Sequence, residues 1–296
     1  MLDNSAGRVI AGRIGRLNRR RLIRLVAGGA FVSFAVACGG DNGHGQDTRD
    51  GFPAGSPVNV DPPRVTVDAS AAAAGKLFAR PANVPPSGEI KRGLQSLGLD
   101  REEDAILYVP ETYRPEQPAP LAVLFHGAGG GVRAGISPLL NHADMAGTLL
   151  LATSSREGTW DIITSGGFGA DIALLERALV AIFSRYAVDP GRIAVGGFSD
   201  GASYALSVGL TNGDLFSAIM AFSPGFVAPS AVQGQPRIYI SHGTQDIVLP
   251  IDQTSRLIVP QLQGLGYQVE YVEFDGLHSV PDDIVEDALD WWLNAD

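Results

Sequence analysis

Cysteine is almost absent from this sequence, because the 296 residues include only Cys38. A single thiol cannot form a disulfide within the chain, so packing has to hold the fold together. Hydrophobic residues make up 45% of the chain, which is enough to build a full core. No group of Cys, His and carboxylates has the spacing of metal ligands, and the sequence therefore predicts no metal and no cofactor.

Basic residues are scarce beyond the N-terminus. The first 37 residues contain seven Arg and one Asp, and the remainder contains 15 basic and 31 acidic residues, a net charge of −16. A surface this acidic repels phosphate backbones. We therefore expect no nucleic-acid partner.

The N-terminal region lacks an apolar run of membrane-spanning length. A short apolar stretch at residues 25–37 follows an Arg-rich start and ends in small residues before Cys38, which is typical of an export signal. Residues 18–23, NRRRLI, resemble a twin-arginine leader. The letters AVAC, ending at Cys38, resemble a bacterial lipobox, in which the cysteine is lipidated.

We therefore interpret residues 1–38 as an export signal. It ends either in a lipidated Cys38, which would attach the protein to a membrane, or in an ordinary cleavage site. The first alternative predicts a cell-envelope lipoprotein, and the second a periplasmic or secreted protein.

Large apolar residues are rare in the segment that follows, which is rich in Gly, Pro and Asp up to about residue 63. Such a composition cannot bury enough surface to order the chain. We predict a flexible tether over residues 39–87 and a folded domain over residues 88–296. The alanine-rich residues 69–75 are compatible with a short helix or with more tether.

Short apolar runs alternate with amphipathic segments throughout the folded part. The apolar runs that end in turn residues are residues 105–110, 121–127, 148–154, 192–197, 216–223, 237–243 and 268–274. The segment from residue 169 to 186 instead has apolar residues spaced by three and four, which predicts a helix. This alternation predicts a mostly parallel central sheet with helices on both faces. A hairpin around residues 99–104 adds an antiparallel start.

A serine stands between two glycines where a predicted strand changes to a helix. Residues 197–201, GFSDG, fit the G-x-S-x-G nucleophile elbow. Side chains two residues before and after the serine would collide with the neighbouring backbone in this sharp turn. The following helix directs its first N–H groups at the site, which favours developing negative charge. We predict that Ser199 is a nucleophile.

A serine hydroxyl needs a base, and the chain has five histidines. His278 follows the last predicted strand, where the chain order Ser, acid, His places the base. Its imidazole suits a proton shuttle at neutral pH. We interpret His44 as a solvated residue of the tether and His142 as an ordinary helical or surface residue. His126 and His242, at strand ends, are interpreted as structural.

The acid of such a triad should follow a strand between Ser199 and His278. Asp246, in the turn after the predicted strand RIYISHG, is the favoured candidate. Asp252 is the alternative, although its position at a helix start suits an N-cap.

Backbone N–H groups should stabilise the oxyanion. The N–H of Asp200 and that of Ala128, in the glycine-rich loop HGAGGG, are the candidates. This loop lacks the Lys and Ser/Thr of a phosphate-binding loop. Aromatic residues near strand ends either line a substrate pocket or simply pack in the core; they are Trp160, Phe168, Phe198 and Phe226.

Several stretches together resemble a known family. They include PLAVLFHGAGG, SREGTWD, VDPGRIAVGGFSDGASYAL, SHGTQDIVLP and FDGLHSVP. They resemble the α/β-hydrolase fold and, within it, the serine esterases that are poly(3-hydroxybutyrate) depolymerase-like or feruloyl esterase-like, a group labelled phospholipase/carboxylesterase. The resemblance implies an α/β-hydrolase fold and a Ser–His–Asp triad at Ser199, His278 and Asp246.

The resemblance also implies an activity: a serine carboxylesterase acting on small or polymeric esters, with aryl, feruloyl or short polyester compounds as substrates. The N-terminal signal adds the expectation that this esterase is exported. Only about ten residues separate IMAFSPGF from RIYISHG, so we expect no large lid domain and an open cleft. Two other readings stay open. One is a catalytically inactive envelope binding protein of this fold, and the other is a serine hydrolase of different specificity, a peptidase or a thioesterase.

Overall fold

The computed structural model describes residues 67–81, 90–101 and 103–294. The predicted export signal with Cys38, and the tether up to residue 66, lie outside the described residues. Among the helices of the described part, none combines the length and the apolar character needed to cross a bilayer.

Eight strands form one sheet in the spatial order β1-β2-β4-β3-β5-β6-β7-β8. They are β1 Gly93–Ser96, β2 Ala105–Val109, β3 Ala119–Phe125, β4 Leu149–Thr153, β5 Val188–Phe198, β6 Ala218–Phe222, β7 Arg237–Gly243 and β8 Val269–Phe274. Strands β3 to β8 are parallel, and β2 runs antiparallel to both of its neighbours. The predicted mostly parallel sheet with an antiparallel start is confirmed.

Helices cover both faces of the sheet. They are α1 Ala69–Ala73, α2 Val132–Leu140, α3 Ala143–Ala146, α4 Asp161–Thr164, α5 Ala170–Phe183, α6 Asp200–Thr211, α7 Ser255–Gly264 and α8 Asp282–Leu293, with a 3₁₀ turn at Ile251–Gln253. Helices α5, α6 and α7 share one apolar cluster with the sheet. Helices α2 and α8 share the other. Strand β3 is buried along its whole length because its side chains alternate between the two clusters.

Two helices differ from what the sequence predicts. Pro260 predicts a helix that is interrupted or bent at this residue; α7 is not interrupted there, because it continues to Gly264. Pro260 is exposed, so the backbone carbonyl that loses its partner to the proline ring faces water. Helix α2 is not predicted from the pattern, because Gly135 and Pro138 interrupt its apolar spacing.

Residues 67–81 correct the predicted tether, because they pack against the domain. Asp68 caps α1 by accepting a hydrogen bond from Ser70 N–H at 2.8 Å. Leu77 is buried, and its N–H donates to Oδ1 of Asn212 at 2.9 Å. The Nδ2 of Asn212 donates in turn to the carbonyl oxygen of Gly75 at 2.8 Å. This segment therefore belongs to the folded domain.

Candidate active site

Ser199 occupies the turn between β5 and α6. Its backbone has φ 58° and ψ −121°, a conformation that costs a non-glycine residue about 1–3 kcal/mol. The Ser199 N–H donates to the carbonyl oxygen of Phe222 at the end of β6, at 2.9 Å. A Cβ built on Gly197 would lie 2.5 Å from the carbonyl oxygen of Gly201. Because the backbone comes this close on itself in the turn, positions 197 and 201 both have to be glycine. This is the steric reason that the motif suggests.

His278 joins Ser199 to Asp246. Its Nε2 lies 2.9 Å from Oγ of Ser199, and its Nδ1 lies 2.6 Å from Oδ2 of Asp246. Because an ionised carboxylate can only accept, Nδ1 carries the proton and Nε2 accepts from the serine hydroxyl. The His278 side chain is 14% exposed, so solvent reaches the site. The structure brings together the three side chains that the sequence selects.

Asp246 is held by backbone donors as well as by His278. Its Oδ1 accepts hydrogen bonds from the N–H groups of Val248 and Leu249, both at 2.8 Å. Burial by itself raises the pKa of Asp246, but the hydrogen bonds from the Leu249 backbone and from His278 outweigh it and lower the pKa below its ordinary value. The carboxylate is thus ionised at neutral pH and oriented on both oxygens.

The alternative acid does not reach this site. Asp252 lies on the 3₁₀ turn, where its exposed carboxylate accepts from Nη1 of Arg256 at 2.7 Å.

The glycine-rich loop after β3 runs beside Ser199. A Cβ on Gly127 would lie 3.4 Å from that of Ser199, and Gly129 N–H donates to the carbonyl oxygen of Gly158 at 2.7 Å. Ala128 lies between these anchors and is exposed. Asp200 is the first residue of α6. Asp200 thus directly follows Ser199, and Ala128 directly follows the glycine that approaches it; their roles as oxyanion donors stay predictions.

His126 fixes the start of this loop, in agreement with its interpretation as structural. Its Nδ1 donates to the carbonyl oxygen of Gly127 at 2.7 Å, and its Nε2 accepts from Ser155 N–H at 3.0 Å. This pattern requires the neutral ring. Burial lowers the pKa of His126, which keeps the ring neutral.

Polar residues between β4 and the first turn of α5 were not predicted from the sequence. Oγ1 of Thr159 donates to Oδ2 of Asp200 at 2.6 Å. Asp161 and Asp171 bind each other's backbone, with Asp161 N–H donating to Asp171 at 2.8 Å and Asp171 N–H donating to Asp161 at 3.1 Å. Burial, and then the charge of Asp171, raise the pKa of Asp161 to about 6. These bonds pin the loop that contacts the glycine-rich segment.

For two of the four aromatic residues the structure favours core packing over the pocket role. Trp160 is fully buried, stacks on Tyr204 at 4.5 Å and donates from Nε1 to the carbonyl oxygen of His126 at 2.9 Å. Phe168 is also buried and lies against Tyr204 and Gly75. Their large rings stabilise the loop from inside, and they have too little free surface to line a pocket.

The other two aromatic residues keep some exposed surface. The Phe198 ring lies 4.6 Å from that of His278, centroid to centroid, so it contacts the triad. Phe226 packs against the apolar cluster under α6. The described contacts do not bring its ring to the triad.

His142 is buried, although the sequence suggests a surface position. Its Nε2 lies 2.9 Å from Oδ1 of Asp282, and its Nδ1 lies 3.9 Å from Oε1 of Glu286. The two ring nitrogens thus face different carboxylates of α8. This group anchors the start of α8.

Part of the chain is similar to known proteins. Residues 170–292 match the model of the phospholipase/carboxylesterase family. Acyl-protein thioesterase 1 of Gibberella zeae is 32% identical over 108 residues, which are 33% of this chain and 46% of that protein. The chain therefore spans less than half the length of this relative.

Solved structures show the same fold at lower identity. A phospholipase/carboxylesterase from Dyadobacter fermentans is 20% identical with a TM-score of 0.50, over 64% of this chain and 96% of that chain. The fluorophosphonate-binding serine hydrolase F of Staphylococcus aureus is 14% identical with a TM-score of 0.52, over 68% of this chain and 96% of that chain. This protein accordingly has an α/β-hydrolase fold, and its residues 170–292 are similar to the phospholipase/carboxylesterase family.

Proposed function

We propose that this chain is a serine carboxylesterase. The observation that carries the proposal is the position of His278, which lies within hydrogen-bond distance of both Ser199 Oγ and Asp246 Oδ2. Geometry of this kind turns a weak nucleophile into a reactive one. The match of residues 170–292 to the phospholipase/carboxylesterase family supports the choice of ester substrates.

The reaction proceeds in two halves. Ser199 Oγ attacks the ester carbonyl while Nε2 of His278 takes its proton, and the imidazolium then protonates the leaving alcohol. Asp246 stabilises the imidazolium and keeps Nδ1 protonated. In the second half, His278 removes a proton from water as the water attacks the acyl-enzyme. The imidazolium then returns the proton to Ser199 Oγ as the carboxylic acid leaves. The N–H groups of Ala128 and Asp200 stabilise the oxyanion, and losing one such donor typically costs about 100- to 1000-fold in rate.

The substrate is an ester that enters from an open cleft, with aryl, feruloyl and short polyester compounds as the proposed classes. Residues 223–236 connect β6 and β7 without an inserted helix or strand, which supports a site without a lid. A substrate panel from short aryl esters through feruloyl esters to polyesters tests this part. Activity confined to one class identifies it.

A second candidate activity is hydrolysis of thioesters. The sequence relative from Gibberella zeae is named an acyl-protein thioesterase and is 32% identical over the matched residues. The same triad performs both reactions, so the two differ in the leaving group. Comparing kcat/KM for an O-acyl ester and the matching S-acyl thioester decides between them.

Export is proposed from the N-terminal sequence alone. Residues 1–38 would direct the chain to the cell envelope, and Cys38 would carry the lipid if the signal is of the lipoprotein type. Intact-mass analysis of the mature protein tests both points. A mature chain starting at residue 39 or beyond, without lipid, contradicts the lipoprotein alternative.

Ser199→Ala is the decisive variant for the catalytic proposal. The wild-type protein should hydrolyse p-nitrophenyl acetate and react with a fluorophosphonate probe, and the variant should do neither. Ser223→Ala is a matched control, because Ser223 also has a positive φ of 53° at a strand end and its buried Oγ has no partner among the described residues. Wild-type protein that does not react with the probe would identify an inactive binding protein.

A further inference from the structure

His242 is a second imidazole beside the acid of the triad. It lies in β7, four residues before Asp246, and its side chain has no exposed surface. Its Nε2 lies 2.8 Å from the carbonyl oxygen of Leu249 and 3.1 Å from Oδ2 of Asp246. That same Oδ2 lies 2.6 Å from Nδ1 of His278. One carboxylate oxygen therefore faces two histidines.

The protonation of His242 follows from its partners. The Leu249 carbonyl and the Asp246 carboxylate can only accept, so Nε2 carries the hydrogen. Nδ1 then accepts from the buried hydroxyl of Ser255, at 2.7 Å. Burial is the main cause that lowers the pKa of His242. The two histidines on Asp246 thus differ in kind: His278 contacts the nucleophile, whereas His242 is a buried, neutral donor.

Leu249 links His242 to Asp246 a second time. Its N–H donates to Oδ1 of Asp246 at 2.8 Å, while its carbonyl accepts from His242. The imidazole therefore closes the turn that carries the carboxylate and also stands against the other carboxylate oxygen. A rotation of the carboxylate away from His278 would break contacts on both sides of this turn.

We propose that His242 is a positioning residue of the triad, which keeps Asp246 directed at Nδ1 of His278 without taking up a proton during the reaction. This inference rests on the proposed function of Ser199, His278 and Asp246. Ser255 is the residue that orients His242, by binding its Nδ1. The hydrogen-bonded network thus runs from Ser255, at the buried start of α7, through the two imidazoles and the carboxylate between them to the nucleophile.

The test compares His242→Gln with His242→Asn. A Gln amide nitrogen reaches the place of Nε2 and can donate to Leu249 and Asp246, whereas an Asn amide ends near the place of Nδ1. We expect His242→Gln to keep kcat within about threefold, and His242→Asn to lose about 10- to 100-fold in kcat with little change in KM, because a misplaced catalytic group slows the reaction by this order.

The acid limb of the pH–rate profile gives a readout that a merely structural residue would not change. The charged groups that face His242 are Asp246, His278 and Glu273, and Arg256 pairs with Glu273 at 2.5 Å. The acid limb reports protonation of the general base, and the charge of Asp246 stabilises the imidazolium form of that base. A carboxylate that is no longer held toward Nδ1 of His278 stabilises the imidazolium less, so the acid limb should move to lower pH in His242→Asn and stay in place in His242→Gln.

Several results would overturn the proposal. One is that the two variants have equal kcat and equal acid limbs. Another is that His242→Gln loses as much kcat as His242→Asn does. If neither variant folds, Ser255→Ala replaces them, and an unchanged acid limb there overturns it. If the wild-type protein hydrolyses no ester, the rate of fluorophosphonate labelling of Ser199 is compared across the same variants. A wild-type protein without esterase activity then counts against the proposed function, while the labelling rates of the variants still test the inference.

Discussion

A Cβ added to Gly201 would lie 2.5 Å from the carbonyl oxygen of His126. The first turn of α6 therefore rests directly on the end of β3, from which the glycine-rich loop starts. Any side chain at position 201 pushes the nucleophile turn away from that loop. The distance between the two proposed oxyanion donors, Ala128 and Asp200, thus depends on a glycine that carries no chemistry itself.

Gly201→Ala is expected to lower both stability and activity. The added methyl meets backbone that cannot rotate away, and overpacking of this kind costs about 1–3 kcal/mol. The fall in turnover of p-nitrophenyl acetate should be larger than the loss of folded protein alone explains, because the oxyanion site widens. Thermal unfolding and kcat measure the two effects.

Gly264→Ala is the matched control for this prediction. A Cβ on Gly264, the last residue of α7, meets no atom within 4 Å. Alanine in a helix is favoured over glycine by about 0.5–1 kcal/mol. The control should therefore be as stable as the wild type or more stable, with unchanged kcat. Equal activity in Gly201→Ala and Gly264→Ala contradicts the steric argument.

The sequence is most informative where a short local pattern lies at a strand end. The parallel sheet follows from continuous apolar runs, because strands such as β3 are buried on both faces. Ser199, Asp246 and His278 each stand in a turn after a strand, and parallel strands bring such turns to one edge. Their convergence was therefore predictable without any knowledge of contacts.

Features that depend on distant contacts were not predictable in the same way. Residues 67–81 read as a tether, yet Leu77 is held by Asn212, which lies 135 residues further along the chain. The sequence leaves open whether Trp160 lines a pocket or packs in the core, and only the structure shows that its ring is enclosed by side chains from other elements, such as Tyr204. Composition and periodicity record neither kind of contact, because the partner lies outside the local window.

Asp200→Asn is expected to increase kcat/KM about two- to fivefold. The Asp200 carboxylate belongs to the residue whose N–H is a proposed oxyanion donor, and a negative charge there opposes the charge that develops on the substrate. Its hydrogen bond from Thr159, at 2.6 Å, offsets this charge only partly. The carboxylate also favours the start of α6, so the variant should lose about 0.3–1 kcal/mol of stability.

Thr159→Val should have the opposite effect on rate. It removes the donor and leaves the Asp200 carboxylate without this partner, which strengthens its repulsion of the oxyanion. Steady-state kinetics on one neutral ester compares the two variants. A lower kcat/KM in Asp200→Asn than in the wild type contradicts the electrostatic argument.

The ionisation of Asp161 should make stability depend on pH. Burial, followed by the charge of Asp171, raises the pKa of Asp161 to about 6, so the folded protein keeps this proton after the unfolded chain has lost it. The contribution of Asp161 to stability therefore falls as pH rises from about 4 to about 6, by about 1–3 kcal/mol. Asp161→Asn removes this fall.

Urea unfolding of both proteins at several pH values measures the difference. The stability of Asp161→Asn relative to the wild type should increase between pH 4 and pH 6 and then stay constant. Asp171→Asn should show a change of the same sign, because burial also raises the pKa of Asp171. A relative stability of Asp161→Asn that does not vary over this range contradicts the prediction.

An apolar rim, defined here as Ile247, Val248 and Leu277, borders the triad. The three side chains are 84%, 60% and 58% exposed, although all are large and hydrophobic. Each lies within two residues of Asp246 or His278. The two loops that carry them are joined by the hydrogen bond from Gln245 N–H to the carbonyl oxygen of Gly276, at 2.9 Å. An apolar group of a bound ester would cover this rim and remove it from water.

Leu277→Ser should therefore weaken activity on long esters more than on short ones. Covering a leucine is worth about 1.5 kcal/mol, so kcat/KM for p-nitrophenyl octanoate should fall about tenfold while that for the acetate changes less than twofold. Phe78→Ser is the control, because Phe78 is 69% exposed but lies beside Leu77 at the end of α6 that is far from Ser199. It should leave the ratio of the two substrates unchanged, and an equal change in both variants would mean that the rim does not bind the acyl group.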